Sequence, residues 1–532
     1  MKPLLSAQAA KANDMHTINI LGVSEETLID RVAQSAFNTL QAGGYDLLAP
    51  CILCGSGNNG ADGLALACLL KRLGYNASVV YLGKLYSIAA PTAKKKNGTL
   101  PDAPVIERDK LGTPDLQIMS EKCLAYYHRA QNQGVEILTD RMPETITVFI
   151  DAIYGTGLNG ALDKDTCEII RTVNQSGIPV LSIDIPSGVF ANTGETAQQA
   201  IRATETMVVQ SVKIGLQVYP GAGHAGKLTV VDVGIQSDPL APDAQCHALE
   251  DYDIAMMKPV RPARSTKHTF GRVLVIGGSL GMAGAAYMAA MGAYRAGAGL
   301  VEIFTQSKNR MVLQQLIPEA VLACYDEKKD MTKKLKAAIK RADAIVIGCG
   351  LGQDKLAKQI VSMVLKQASV PMVVDADALN IIAAKPAMFK KLSSAQKART
   401  VMTPHAAEAA RLLGNHMQPE TVLHRVYINA QMLYTQYGVN VMLKDAHSVL
   451  YTVGGAYFVN LAGNTALATA GSGDVLAGII GGLISGKSAD ISVGQMAALG
   501  AYLHGKAGEK AAEKMGEHAV MARDILDGLA HF

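Results

Sequence analysis

The stretch AGSGDVLAGII, residues 470–480, places one carboxylate, Asp474, among glycines and small apolar residues where a helix is predicted to begin. Backbone N–H groups at such a turn point outward, and the helix dipole adds partial positive charge, so the turn favours a phosphate or an oxyanion. A carboxylate beside a transferring phosphoryl group can accept the proton of an attacking hydroxyl. The stretch therefore predicts phosphoryl transfer with Asp474 as base, although a small acidic residue could equally cap a helix that begins at Val475.

A second glycine-rich turn, GSGNNGADG at residues 55–63, carries the tandem amides Asn58 and Asn59. It lacks the Lys-Ser/Thr of a P-loop and the G-x-G-x-x-G spacing of the dinucleotide fingerprint. Asp151 and Ser187 lie at or just beyond the carboxyl ends of predicted strands, which share one edge of a parallel sheet. Because amides, carboxylates and hydroxyls are hard oxygen donors, these residues predict a site for a hard cation. The alternatives are that Asp62 only caps a helix and that Asp184 and Ser187 only shape a turn.

The elements that would position these residues alternate between strand and helix in both halves of the chain, a pattern typical of mainly parallel sheets covered on both faces. The predicted fold is therefore α/β, with two three-layer αβα domains: a Rossmann-like doubly wound sheet at residues 1–240 and a second domain at 241–532. A segment rich in proline and charge, about residues 236–271, is the predicted linker.

The composition of the chain argues against several classes of protein. The 532 residues are 49% hydrophobic and 18% charged, which predicts a well-packed globular protein. The net charge of +4 argues against a dedicated nucleic-acid surface, and no apolar stretch is long enough for a membrane span or a signal peptide, so we expect a cytoplasmic protein. The eight cysteines show no disulfide framework, and the C-x-x-C of Cys51 and Cys54 lies in a predicted buried strand rather than a zinc or redox site.

The second half contains six motifs, in this order along the chain: GRVLVIGGSLGMAGAAYMAAMGAYRAGAGLV, GCGLG, DADALN, MTPHAAEAARLLG, LKDAHSVLY and AGSGDVLAGII. Over residues 260–532 the chain resembles the ADP/ATP-dependent NAD(P)H-hydrate dehydratase branch of the ribokinase-like kinases. The resemblance implies that ADP or ATP, with Mg²⁺, phosphorylates the C6 hydroxyl of the hydrated cofactor, and that phosphate then leaves.

The resemblance also implies residue roles. Asp474 would be the base and a substrate contact, while the hydrate would contact Ala285, Gly352 and His405. The nucleotide would contact Lys444, Asp445, Ala446, His447, Ser448, Gly471 and Gly473. His405 could instead begin a helix, Lys444 could be a solvated strand end, and Asp375 and Asp377 could either form a turn or lie near Mg²⁺ or substrate.

In the first half GSGNNGADG, DAIYGTGL and SIDIPSG resemble the NAD(P)H-hydrate epimerase domain, over about residues 10–235. The resemblance implies a K⁺ ion held by Asn59, Asp151 and Ser187, and Asp184 as the acid-base residue at C6. The implied hydrate contacts are Asn58, Asn59, Gly60, Ala61, Asp62, Gly155, Thr156, Gly157, Leu158, Asn159, Gly160, Ala161 and Asp184. Ala61 stands where glycine is usual and Ser56 where proline is usual, so we expect a reduced fit in this site.

Together the two resemblances predict a bifunctional repair enzyme that equilibrates the R and S forms of NADHX and NADPHX and dehydrates the S form. The alternative is a ribokinase-like vitamin-precursor kinase fused to a non-catalytic Rossmann-like binding module. The sequence leaves open whether ADP or ATP is the phosphoryl donor. We expect no nucleic-acid or membrane partner, and a homo-oligomer in which apolar stretches such as AGAAYMAAMGAYRAG pack between subunits.

Overall fold

A computed structural model describes residues 1–83, 85–86, 113–114, 118–139, 141–239, 245–326, 328–414, 417–486 and 491–532. The chain divides into two compact units, Leu5–Ala244 and Gln245–Phe532, the second of which also includes Met1–Leu4. Part of the predicted linker, residues 240–244, lies outside the described residues. Within the described ranges no helix is both long and apolar enough to cross a bilayer.

The Leu5–Ala244 unit contains a seven-stranded sheet in the order β10-β9-β8-β7-β2-β3-β6, with parallel pairing at each step. Its strands, with the separate pair β4 and β5, are β2 (Pro50–Cys54), β3 (Ser78–Tyr81), β4 (Leu85–Tyr86), β5 (Thr113–Pro114), β6 (Glu136–Leu138), β7 (Val148–Ala152), β8 (Val180–Ile183), β9 (Glu205–Val209) and β10 (Lys227–Val231). Its helices are α1 (Ala7–Asn19), α2 (Glu25–Ala42), α3 (Asn58–Arg72), α4 (Glu121–Asn132) and α5 (Lys164–Gln175).

Strand β2 shows why this sheet is covered on both faces. All five of its residues are buried. Ile52 and Cys54 pack into one hydrophobic cluster, whereas Cys51 and Leu53 pack into a second, as the alternation of side chains along a strand requires. The three-layer prediction and the buried strand at the C-x-x-C are therefore confirmed.

The second unit contains an eleven-stranded sheet in the order β1-β11-β20-β19-β18-β17-β16-β15-β12-β13-β14. Pairing is antiparallel between β1 and β11 and on both sides of β19, and parallel elsewhere. The strands are β1 (Lys2–Pro3), β11 (Cys246–Ala248), β12 (Arg272–Ile276), β13 (Leu300–Gln306), β14 (Val321–Tyr325), β15 (Ala344–Ile347), β16 (Met372–Val374), β17 (Thr400–Met402), β18 (Asn440–Leu443), β19 (Val449–Tyr451) and β20 (Tyr457–Val459). The edge strand β1 comes from the first residues of the chain, a placement that the sequence pattern did not indicate.

The helices of this unit pack around that sheet. They are α6 (Asp251–Met257), α7 (Ala283–Arg295), α8 (Arg310–Leu316), α9 (Lys328–Arg341), α10 (Lys355–Gln367), α11 (Ala376–Ala384), α12 (Ser394–Ala398), α13 (Ala406–Leu413), α14 (Pro419–His424), α15 (Val426–Tyr437), α16 (Ser472–Ser485), α17 (Val493–Met515) and α18 (Ala522–Gly528).

Helices α7 and α16 lie in backbone contact, and glycine makes that contact possible. A Cβ atom at Gly478 would lie 2.1 Å from the carbonyl oxygen of Ala289, and one at Gly292 would lie 2.6 Å from that of Val475. Each distance is shorter than any van der Waals contact. The apolar face of α7 is thus packed within its own unit, and the crossing fixes the two helices that begin at Ala283 and Ser472.

We expect Gly478→Ala to lower the free energy of unfolding by about 1–3 kcal/mol, because the added methyl must push two backbones apart. Thermal or urea unfolding of the purified chain measures the change. Gly284→Ala is the matched control: Gly284 lies in the first turn of α7, a Cβ there would meet nothing within 4 Å, and the change should be neutral or mildly stabilising. Equal stability of Gly478→Ala and the unsubstituted chain would contradict the packing argument.

Candidate functional site

At the carboxyl ends of the strands in the Leu5–Ala244 unit lies a cavity of about 1090 Å³. It occurs where open α/β sheets bind ligands, in the crevice beyond the strand ends. Of the predicted site residues, those lining it are Asn58, Asn59, Asp62, Gly155, Thr156, Gly157, Leu158, Asn159, Gly160 and Asp184. Gly60, Ala61 and Ala161 are not among the lining residues.

Two features of the α3 turn differ from what the sequence suggested. Ala61 is fully buried in the hydrophobic core, so its methyl faces away from the cavity and the expected loss of fit has no structural basis there. Helix α3 begins at Asn58, with Gly57 as its N-cap, so Asp62 lies inside the helix and does not cap it. Asp62 instead lines the cavity, and burial raises the pKa of its carboxyl well above the ordinary value.

Behind the cavity, Asp151 at the end of β7 is completely buried. Its Oδ2 accepts hydrogen bonds from Ser182 Oγ and the Ser187 backbone N–H, both at 2.8 Å, and its Oδ1 accepts from Ser187 Oγ at 2.5 Å. Burial raises the pKa of this carboxyl, while the serine hydrogen bonds oppose the shift. No lysine, arginine or histidine in the described part of the chain pairs with Asp151, so its negative charge has no protein counter-ion.

Asn59, the third predicted K⁺ ligand, lies in the first turn of α3. It is buried, its Nδ2 has no hydrogen-bond partner, and its side chain lies against Gly155. An amide oxygen, a hydroxyl and an uncompensated carboxylate are the donors that a hard cation prefers. These residues therefore fit the K⁺ ion that the resemblance implied.

Asp184 follows β8 in a left-handed backbone conformation, with φ at +66°. Such strain in a non-glycine residue is common at functional sites. Its Oδ1 accepts a hydrogen bond from the Val209 N–H at 3.0 Å and also contacts the ammonium of Lys213, which lies beyond β9. Sequence reasoning missed Lys213, because the pair depends on β8 and β9 being neighbours; the polar run QSVK after a strand was the available signal.

In the second unit Asp474 lies in the first turn of α16, which begins at Ser472 after Gly471. Gly471 is left-handed, with φ at +89°, and provides no side-chain cap. The helix therefore starts before Asp474, and the capping interpretation of that residue is wrong. Burial, assisted by the charge of Asp375, raises the pKa of Asp474 to about 6.

Asp375 and Lys444 form a mostly buried ion pair beside this turn, with 2.9 Å between Lys444 Nζ and Asp375 Oδ1. A Cβ atom at Gly473 would lie 3.6 Å from Lys444 Nζ and 4.0 Å from an Asp375 carboxyl oxygen. Burial alone would lower the pKa of Lys444, but Asp375 and Glu408 reverse that effect and raise it, so the ammonium stays charged. Lys444 is thus not a solvated strand end, and the structure brings it together with Gly473.

His405 is the N-cap of α13. Its Nδ1 accepts the N–H groups of Ala407 and Glu408, at 3.1 and 3.4 Å, so the helix-start role considered from the sequence is present. The backbone of His405 also bridges to Lys444 in a parallel β-bridge, which places the ring near the ion pair. Glu408 beneath it is buried, and this raises the pKa of its carboxyl.

The remaining predicted residues lie in two loops and, for Ala285, in the first turn of α7. Residues 444–448 turn tightly after β18, where Ser448 Oγ donates to the Asp445 carbonyl and the Ala446 N–H donates to Asp445 Oδ1. On the α7 side, the Ser279 N–H donates to the Gly350 carbonyl at 2.6 Å, and a Cβ at Gly350 would lie 2.9 Å from the Ala285 methyl. Asp377 accepts the Gly352 N–H at 2.8 Å, so that loop has a structural support.

Two further residues were missed from the sequence. His504 on α17 is buried, with its Nε2 3.1 Å from Ser472 Oγ in the glycine-rich turn, and burial lowers the pKa of its imidazole to about 4. The neutral ring therefore supports the turn through Ser472. The buried thiol of Cys349 lies near Asp474, and its own pKa is raised well above the ordinary value by burial. A lone histidine or cysteine in an apolar segment gave no signal of these positions.

Comparisons with known proteins match both halves. The family model described as NAD(P)H-hydrate dehydratase matches residues 273–530, and the model described as YjeF-related protein N-terminus matches residues 25–99 and 109–215. The bifunctional NAD(P)H-hydrate repair enzyme Nnr of Coxiella burnetii is 31% identical over 96% of this chain and 95% of its own length. The enzyme of the same name from Moorella thermoacetica is 34% identical over 90% of this chain and 86% of its own length.

Among solved structures, an ADP/ATP-dependent NAD(P)H-hydrate dehydratase from Bacillus subtilis, co-crystallised with ATP and Mg²⁺, is 28% identical to this chain. The match covers 53% of this chain and 95% of that one, with a TM-score of 0.44.

Proposed function

The chain belongs to the family of bifunctional NAD(P)H-hydrate repair enzymes, and from this premise we propose how its residues divide the two reactions. The enzyme epimerises the R and S forms of NAD(P)H hydrate and dehydrates the S form to NAD(P)H at the expense of a nucleoside phosphate. We assign epimerisation to the Leu5–Ala244 unit and dehydration to the Gln245–Phe532 unit.

Dehydration begins with transfer of a phosphoryl group to the C6 hydroxyl of the hydrate. Asp474 accepts the proton of that hydroxyl as its oxygen attacks the terminal phosphorus of ADP or ATP. The N–H groups of the first turn of α16, opened by Gly471 and Gly473, hold the phosphoryl oxygens, and the Lys444 ammonium lies beside them. The single observation that carries this assignment is the partly buried carboxyl of Asp474 within that turn, between the α16 N–H groups and the Asp375–Lys444 pair.

Phosphorylation converts hydroxide, a poor leaving group, into phosphate, a good one. The lone pair of the ring nitrogen then expels phosphate from C6, and loss of a proton from C5 restores the ring double bond. We place the hydrate between α7 and the loops of Gly352 and His405, which brings C6 towards Asp474. We place the nucleotide along residues 444–448, where Asp375, the partner of Lys444, would be available to the Mg²⁺ that accompanies the phosphates.

The rate of dehydration should fall in acid with the titration of Asp474. A general base acts only when it is deprotonated, and the pKa of Asp474 is about 6. We therefore expect kcat/KM for dehydration to be constant well above pH 6 and to fall about tenfold per pH unit below it. Rates of (S)-NADHX consumption between pH 5 and pH 8, with saturating nucleotide, measure the profile. A rate that is unchanged down to pH 5 would remove Asp474 from the role of base.

In the epimerase, Asp184 serves from the cavity wall as the acid-base residue for inversion at C6. Its ion pair with Lys213 and the hydrogen bond from Val209 hold the carboxylate in place. Asn58, Asp62 and residues 155–160 line the same cavity and would contact the hydrate. Asn59, Asp151 and Ser187 would hold K⁺, which would supply the positive charge that balances the Asp151 carboxylate.

The direct test is to incubate the purified chain with mixed hydrate epimers and Mg²⁺, adding ADP and ATP in separate reactions. We expect complete conversion to NAD(P)H with at least one nucleotide, and comparison of the two identifies the donor. Replacing K⁺ by Na⁺ should slow consumption of the R epimer and leave that of the S epimer unchanged. If neither nucleotide supports conversion, the assignment of the second unit as a dehydratase fails.

A further inference from the structure

One aspartate in the epimerase cavity, Asp14, has no role in the reaction described above. Asp14, on α1, lines the cavity together with Asp62 and Asp184. It is partly buried, and among the described residues none donates it a hydrogen bond. The three aspartates come from different elements: α1, α3 and the turn after β8.

Asp14 and Asp184 differ in the charged groups beside them. Asp184 is bound directly by the Lys213 ammonium, which stabilises its negative charge. Asp14 has no such partner: burial, opposed by Lys213 and supported by Asp184, raises its pKa to about 6. The other charged side chains that line the cavity are Lys11 on the same helix as Asp14, Asp62, Glu195, and Glu25 and Lys122, which pair with each other at 2.8 Å.

Inversion at C6 requires both an acid and a base. We propose that Asp14 is a second catalytic residue of the epimerase, which donates a proton to the departing C6 hydroxyl while Asp184 accepts one from the incoming water. The proposal rests on the role proposed for Asp184. Two carboxyls in different environments at one site are a recurrent way to provide an acid and a base together.

The step balances without any other reactant. The C6–O bond breaks as the Asp14 proton passes to the hydroxyl oxygen, and the lone pair of the ring nitrogen forms the N=C6 bond. A water then adds to C6 from the opposite face, the π pair returns to nitrogen, and Asp184 takes the proton of that water. One water leaves and one enters, and the single proton of the pair has moved from Asp14 to Asp184; proton exchange with solvent restores the pair before the next inversion in the same direction. The opposite inversion runs the same steps in reverse.

The test follows interconversion of purified R and S epimers of NADHX by the full chain without nucleotide, so that the dehydratase is idle. We expect Asp14→Asn to lose about 10²- to 10⁴-fold in epimerisation rate, and Asp14→Glu to recover part of it. Asp165→Asn, the same change at an exposed position on α5, is the matched control and should be unaffected. Epimerisation by Asp14→Asn at the rate of the unsubstituted chain would overturn the proposal.

Two readouts separate catalysis from structural support. The epimerisation rate of the unsubstituted chain should fall above about pH 6 as Asp14 loses its proton, and this basic limb should vanish in Asp14→Asn. In H₂¹⁸O each inversion should place one ¹⁸O at C6; inversion without label overturns the step. If Asp184→Asn is inactive but Asp14→Asn is normal, only this proposal fails; if both are normal, the assignment of Asp184 fails as well.

Discussion

Asp474→Asn is expected to abolish dehydration, with a loss of about 10²- to 10⁴-fold in the rate of nucleotide-dependent (S)-NADHX consumption. The amide has the size of the carboxyl but cannot accept the hydroxyl proton, so phosphorylation of C6 loses its base. Removal of the charge does not create a void, and the buried position raises the pKa of Asp474, so the neutral amide should also be tolerated by the fold.

Epimerisation provides the internal control for this variant. Because Asp184 and the cavity belong to the other compact unit, R and S NADHX should interconvert at the rate of the unsubstituted chain. Ser472→Ala is a useful companion, because it removes the hydroxyl that contacts His504 but keeps the base, and it should reduce the rate much less. Dehydration by Asp474→Asn at the normal rate would show that another group is the base.

The sequence predicted the features of both sites that depend on local pattern. Glycines that follow an apolar run and precede a helix identified the turns at residues 55–63 and 470–474, and the rule that parallel strands end at one edge brought Asp151 and Ser187 together. These inferences need only the order of strands and helices along the chain. The alternation of strands and helices in both halves predicted two layered α/β domains.

The sequence could not predict which charged side chains pair across the sheet, or which carboxyl groups are buried. Lys444 meets Asp375 from 69 residues away, because three neighbouring strands, β16, β17 and β18, bring their ends together. Lys213 meets Asp184 in the same manner. Asp62 and Asp474 looked like helix caps because the residues before them gave no sign that the helices start earlier, at Asn58 and Ser472.

Asp184→Asn is expected to leave the R epimer unconsumed, because the protein no longer converts it to the S epimer. With mixed epimers, Mg²⁺ and nucleotide, the S fraction should be consumed as fast as by the unsubstituted chain, and the remainder only as fast as it epimerises without protein. The amide cannot exchange protons with the hydrate and no longer forms an ion pair with Lys213, so epimerisation should fall by about 10²- to 10⁴-fold. Absorbance of the reduced ring, followed over time, distinguishes two phases from one.

Pure (S)-NADHX is the control for Asp184→Asn, because its dehydration needs no epimerase and should be normal. A stronger control mixes the Asp184→Asn and Asp474→Asn proteins, each lacking one activity. If the two carboxyls serve separate reactions, the first protein dehydrates what the second epimerises, and the mixture should convert both epimers completely. If the mixture still leaves the R epimer unconsumed, then either Asp474→Asn has lost epimerisation or one carboxyl is needed in both reactions, and the division of labour proposed for the two units is wrong.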